Sequence, residues 1–271
     1  MFGGFVRRYA HQSRELGCKM VFTVFFPPAV TKAPVVYYLS GLTCTDENFV
    51  QKAGAQRKAA ELGLAVVAPD TSPRGLGIEG EDESWDFGTG AGFYLDATAD
   101  KWRQYRMYSY ITQELPALLR SMPELDVDNA GIMGHSMGGH GALTIALKNP
   151  TAYKSVSAFA PICNPTQVPW GQKAFAGYLG EQWQEVAQQY DATELARQYS
   201  GPSLPVLMDT GTDDEFLKTQ LHPWAFEEAA RGKLQVESRM NEGYDHSYFT
   251  IATFMDDHLS FHAKHILPSA A

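Results

Sequence analysis

"AGIMGHSMGGHGALTIALKN", residues 130–149, is the stretch on which the fold turns. Its opening residues, through Ser136, read as a short, continuously apolar strand buried on both faces. From Met137 the pattern becomes a small-residue helix that stops at Asn149, before Pro150. "GHSMG" (134–138) bridges the two and fits G-x-S-x-G, the strand–turn–helix element that presents a nucleophilic serine. A serine on so sharp a turn needs neighbours two positions away with almost no side chain, which Gly134 and Gly138 supply. The helix that follows offers backbone N–H groups to a developing oxyanion, with Met137 as the first donor.

Outward from this turn, buried strands alternate with helices. "APVVYYLSG" (33–41) and "LAVVAPD" (64–70) read as buried strands separated by a helix over "DENFVQKAGAQRKAAELG". After the turn, "YKSVSAFAP", "LPVLMDTG" and "LQVESRMNEG" read as strands, and "SYFTIATFMDDHLSFHAKHI" as a long terminal helix. "YRMYSYITQELPALLRSM" reads as a helix kinked at Pro116. Such alternation predicts right-handed βαβ units: an α/β fold of the α/β-hydrolase type, with a mostly parallel central sheet and helices on both faces. "GFVRRYAH" and "KMVFTVFFPP" at the start predict antiparallel N-terminal edge strands. Residues 71–100 form a connection too long to be passive. Residues 162–200 read as an irregular, aromatic-rich insertion lying over a single domain that spans 1–271.

Composition narrows the function classes. The 271 residues are 44% hydrophobic and 20% charged, the balance of a globular domain large enough to bury a core without disulfides or metals. A formal charge of −9 argues against a nucleic-acid partner. No apolar run approaches the roughly 20 residues of a membrane helix, and "MFGGFVRRYAHQSREL" lacks the apolar centre of a secretion signal. Cys18, Cys44 and Cys163 have no zinc spacing and read as reduced thiols, so a cytoplasmic protein is expected.

A nucleophilic serine needs a base, and His135 and His140 flank it in sequence. The turn projects Ser136 outward while His135 points elsewhere, and His140 lies on another helix face; both read as packing residues. The chain order Ser, acid, His instead directs attention to later loops. "NEGYDHSYF" places His246 directly before the terminal helix, as the base. "VLMDTGTDDEF" offers three acids. Asp209 lies within the strand and reads as structural; Asp213 and Asp214 both lie in the loop, with Asp214 favoured because Asp213 is better placed to brace the turn. The second oxyanion donor is expected in "SGLTCT" (40–45), at the Leu42 amide beside Cys44. His222 sits in a helical stretch, and His258, His262 and His265 near one helix face read as a solvated or interface face rather than a metal site. The triad needs no metal and no cofactor.

"SGLTCT", "APDTSPRG", "GEDESWDFGTGAGFYLDAT", "GHSMGGHGAL", "FAPICNP" and "EGYDHSYF" together resemble the S-formylglutathione hydrolase (esterase D) family, nearly from end to end. The resemblance implies an α/β-hydrolase that cleaves the thioester S-formylglutathione to glutathione and formate in formaldehyde detoxification, and that also accepts simple esters. Carried over residue by residue, it implies Ser136 as nucleophile, His246 as base, Asp214 as acid, and Leu42 and Met137 as oxyanion donors. It leaves the glutathione contacts less defined, with Cys44, Trp85, Asp86 and Trp170 as substrate-binding candidates, and makes Cys44 a candidate for oxidative inhibition. The family is commonly dimeric, so a homodimer is among the assemblies implied. A general short-acyl carboxylesterase is the rival activity; a silent binding scaffold would require a broken triad.

Overall fold

The computed structural model describes residues 1–267. The run "APVVYYL" forms strand β3 (Ala33–Leu39), and every residue in it is buried. Its side chains divide by parity: Val35, Tyr37 and Leu39 enter one apolar core, Val36 and Tyr38 another on the opposite face. This is why the strand carries no polar alternation: helices cover the sheet on both sides, and a period of two then places apolar groups everywhere.

The sheet contains β1 (Phe5–Gln12), β2 (Lys19–Phe26), β3, β4 (Ala65–Pro69), β5 (Leu125–His135), β6 (Val156–Phe159), β7 (Pro205–Gly211) and β8 (Gln235–Asn241). The spatial order is β1-β2-β4-β3-β5-β6-β7-β8. β1 pairs with β2 and β2 with β4 antiparallel, while the remaining pairings are parallel. The mostly parallel sheet with antiparallel N-terminal edge strands follows the expectation from sequence.

The helices are α1 (Asp46–Lys52), α2 (Ala55–Leu62), α3 (Met107–Ser109), α4 (Leu115–Leu119), α5 (Met137–Lys148), α6 (Pro169–Leu179), α7 (Trp183–Ala187), α8 (Ala192–Gln198), α9 (Pro223–Ala230) and α10 (Tyr248–Ile266). Where one kinked helix was expected around Pro116, α3 and α4 are joined by a π-helical turn, Tyr110–Glu114. Proline has no N–H to donate, and the wider turn accommodates the missing bond.

Residues 162–200 are not irregular. They hold α6, α7 and α8 with short 3₁₀ turns between them. Pro169 begins α6, where its fixed φ suits a first turn, and Asp191 caps α8 by accepting from the Thr193 and Glu194 amides. Glycines 171 and 177 break the apolar periodicity of α6, which hides the helix from a sequence pattern. The segment is fastened to the 71–100 connection through a stack of Phe87, Tyr178 and Tyr105, with ring centroids 4.4 and 5.1 Å apart.

Candidate active site

Strand β5 ends at His135 and helix α5 begins at Met137, so Ser136 alone makes the turn. Its backbone has φ 56° and ψ −117°, a conformation that costs a residue bearing Cβ about 1–3 kcal/mol. The surroundings hold it there. Ser136 N–H donates to Phe159 C=O at 2.9 Å, and its own carbonyl accepts from His140 N–H at 3.0 Å. A Cβ on Gly138 would lie 1.9 Å from the Leu39 carbonyl oxygen, and one on Gly134 would lie 2.2 Å from that of Gly138. The two glycines therefore let the serine turn press directly against the loop that leaves β3.

That loop is where the second oxyanion donor, the Leu42 amide, is expected. Thr43 N–H is taken by Gly90 C=O at 2.9 Å and Cys44 N–H by Gly41 C=O at 3.3 Å. Among the described residues, no protein acceptor meets the amide of Leu42 or of Met137. The Tyr94 hydroxyl, from the long 71–100 connection, donates to Ser40 C=O at 2.9 Å and braces the loop from behind.

The candidate acid and base lie in the loops after β7 and β8. His246 Nδ1 donates to Asp214 Oδ2 at 2.6 Å. The other carboxylate oxygen of Asp214 accepts the Phe216 amide at 2.9 Å, and its side chain is wholly buried. Asp213 N–H donates to Tyr244 C=O at 3.0 Å and Gly243 N–H to Thr212 Oγ1 at 2.9 Å, so the two loops are tied to each other. The Asp213 carboxylate reaches only the neighbouring Thr212 hydroxyl at 3.2 Å, on the surface. Geometry thus distinguishes the two aspartates that sequence left open.

Ser136 and His246 face one cavity of about 200 Å³, which Leu42, Cys44, Trp85, Trp170, Phe216 and Tyr248 help to line. Trp85 and Trp170 meet edge to face at 5.5 Å and Phe216 packs on Trp170 at 4.7 Å, which makes an aromatic wall. On its other side, His246 borders an acidic cleft of about 390 Å³ lined by Asp213, Glu215 and Asp245. Cys44 faces the first cavity, but burial holds its thiol above the ordinary cysteine range, so it carries little thiolate.

Two expectations need correction. Asp86 does not line the cavity; its carboxylate is bound by Lys173 Nζ and the Ser84 hydroxyl. His135 does not point elsewhere: it lines the cavity with its ring centroid 4.5 Å from that of His246. Sequence reasoning also passed over Phe216 and Tyr248, each two positions after a triad candidate, a spacing that could have drawn attention to both.

His258 and His262 are neither solvated nor at an interface. Both are fully buried between α10 and the sheet. His258 Nε2 donates to Asp209 at 2.8 Å, and the Ser157 hydroxyl donates to His258 Nδ1 at 2.8 Å. Ser157 Oγ then accepts from His262 Nε2 at 2.9 Å, and His262 Nδ1 accepts from Ser155 at 2.7 Å. Burial keeps both rings neutral, and with the carboxylate able only to accept, the direction of every proton in the chain then follows. This is a second Ser–His–Asp sequence, but Ser157 has no exposed surface and ordinary strand geometry. Arg239 and Asn241 complete the shell of Asp209.

The esterase family described as "Putative esterase" matches residues 13–265. S-formylglutathione hydrolase of Rattus norvegicus is 56% identical, covering 98% of this chain and 95% of its own. That of Arabidopsis thaliana is 55% identical, covering 97% and 94%. The chain belongs to the S-formylglutathione hydrolase family. The solved S-formylglutathione hydrolase of Agrobacterium tumefaciens superposes with a TM-score of 0.94 at 49% identity, covering 98% of this chain and 97% of that one.

Proposed function

We propose that the chain is a serine hydrolase that cleaves S-formylglutathione to glutathione and formate, with Ser136 as nucleophile, His246 as general base and Asp214 as the acid that orients it. The observation that carries the reading is the Asp214–His246 pair facing the strained Ser136 turn across one small cavity. Because His246 Nδ1–H is given to Asp214, Nε2 holds the lone pair that can accept the Ser136 proton. Ser136 Oγ then bonds to the formyl carbon, and the amides of Leu42 and Met137 receive the oxyanion. Collapse of this adduct breaks the C–S bond, and the glutathione sulfur, a good leaving group, departs with the proton His246 took from Ser136, which leaves His246 neutral again. Water gives a proton to the neutral His246 as it attacks the formyl-serine; collapse returns that proton to the Ser136 oxygen and releases formic acid, which ionises to formate in solvent.

The aromatic wall of Trp85, Trp170 and Phe216 supports a small acyl group by excluding bulk, since a pocket gains little by gripping a group as small as formyl. Free cysteines at 18, 44 and 163 support a reducing, cytoplasmic setting; among the described residues no helix is long and apolar enough to cross a membrane. The test is steady-state kinetics on S-formylglutathione and on a short aryl acetate. Ser136→Ala is expected to lose at least roughly 10³-fold in kcat. A kcat/KM for the aryl ester equal to or above that for the thioester would favour the general carboxylesterase instead.

A further inference from the structure

One side chain outside the proposed triad packs against both the Ser136 turn and the His246 ring. His135 precedes Ser136 in the chain, and its ring centroid lies 4.5 Å from the His246 ring, tilted by 43°. A Cβ on Gly41 would stand 3.3 Å from His135 Nδ1 and 3.2 Å from Ser136 Cβ, so the same ring backs the oxyanion loop. Phe216 meets the His246 ring edge-on at 5.0 Å, so two aromatic rings confine the base. We propose that His135 is a positioning residue for the hydrolysis, a wedge that sets the His246 ring against Ser136 and the Leu42 loop.

The physical case is one of placement. The base must hold Nε2 within reach of a serine whose backbone is already strained, and a displacement of about 1 Å in such a site can cost about 10²-fold in rate. A loop histidine tethered at Nδ1 alone could still pivot about that bond, and the His135 ring blocks this motion. The wedge must also stay uncharged, because His246 becomes cationic during each half-reaction. Burial, reinforced by the adjacent His246, keeps the His135 imidazole well below its ordinary range.

This inference rests on the triad reading, and Ser136→Ala separates the two. If Ser136→Ala remains active, the triad reading fails. If Ser136→Ala is inactive, steady-state kinetics on S-formylglutathione with His135→Leu and His135→Phe decides the wedge. His135→Leu is expected to lower kcat roughly 10- to 100-fold with KM within about twofold, and to slow Ser136 labelling by a fluorophosphonate by a similar factor. His135→Phe, which restores a ring, is expected to recover part of both rates. Folded variants that keep kcat within about twofold of the wild type, or a Phe variant no faster than Leu, would overturn the proposal. Should neither variant fold, nuclear Overhauser contacts between the His135 and His246 rings in the unaltered protein decide it: persistent contact supports the wedge and its absence overturns it.

Discussion

Asp213 and Asp214 are neighbours in the chain with opposite surroundings. Asp214 is wholly buried, its two oxygens committed to the His246 ring and the Phe216 amide, while Asp213 lies on the surface beside Thr212. Asp214→Asn keeps the size but offers an N–H where the His246 Nδ1–H now donates, and so favours the wrong tautomer. Its kcat is expected to fall by about 10⁴-fold in the thioester assay, whereas Asp213→Asn should stay within about twofold. Equal losses from the two substitutions would mean that the acid has been misassigned. Sequence order alone could narrow the acid to this loop, because a triad demands an acid after the strand, but it could not say which of two adjacent side chains turns inward. That depends on the pinning of Asp213 N–H to Tyr244 C=O, a contact across two loops.

Elements decide between the two Ser–His–Asp sequences. Ser136 stands on the turn between β5 and α5, at the edge of a cavity; Ser157 lies inside β6 under α10. Ser157→Ala would leave His258 Nδ1 and His262 Nε2–H buried without partners, at a cost of roughly 2–4 kcal/mol. Chemical denaturation should show that loss while kcat per folded molecule is kept, the reverse of Ser136→Ala. Loss of kcat without loss of stability in Ser157→Ala would place the chemistry at the buried chain instead. The turn itself is equally exposed to test. Gly138→Ala drives a Cβ to 1.9 Å from the Leu39 carbonyl, a backbone atom with no freedom to retreat. It should destabilise the protein by more than about 3 kcal/mol or prevent soluble expression. The strands and this turn were legible in sequence because apolar runs and G-x-S-x-G are local patterns. The helices of 162–200 were not, because Gly171 and Gly177 interrupt their periodicity and their stability comes from rings stacked against a distant segment.

At the scale of the whole molecule, four histidines are buried neutral: His135, His140, His258 and His262. Burial lowers all four below the ordinary imidazole range, with His140 pushed down to about 4. The unfolded chain therefore binds more protons than the native one once pH drops below about 6.5, and stability falls as pH falls. His140 alone contributes a slope of about 1.4 kcal/mol per pH unit between about 6.5 and 4. Asp209 acts later: held down at about 2 by His258 and Arg239 despite its burial, its contribution persists until pH passes below the ordinary carboxylate range. The thermal midpoint is accordingly expected to be level from pH 8 to about 7 and to decline steadily below about 6.5. A midpoint unchanged down to about pH 5 would contradict the neutral assignment.

The sequence by itself determined the sheet, the serine turn and the order of the triad candidates. Each follows from a short-range constraint: strand and helix periods, the glycines a sharp turn requires, and a nucleophile that must precede its acid and base on this fold. The tertiary structure alone decided which aspartate meets His246, that Asp86 belongs to Lys173, and that His258 and His262 line an interior relay rather than a surface. It also decided the place of His135. Next to Ser136 in the chain, this histidine was read as turned away from the site, yet its ring lies against a base 111 residues further on, since 246 − 135 = 111. The direction of a buried ring depends on what packs around it, and those neighbours come from β3, β7 and β8 loops that meet only when the sheet has formed.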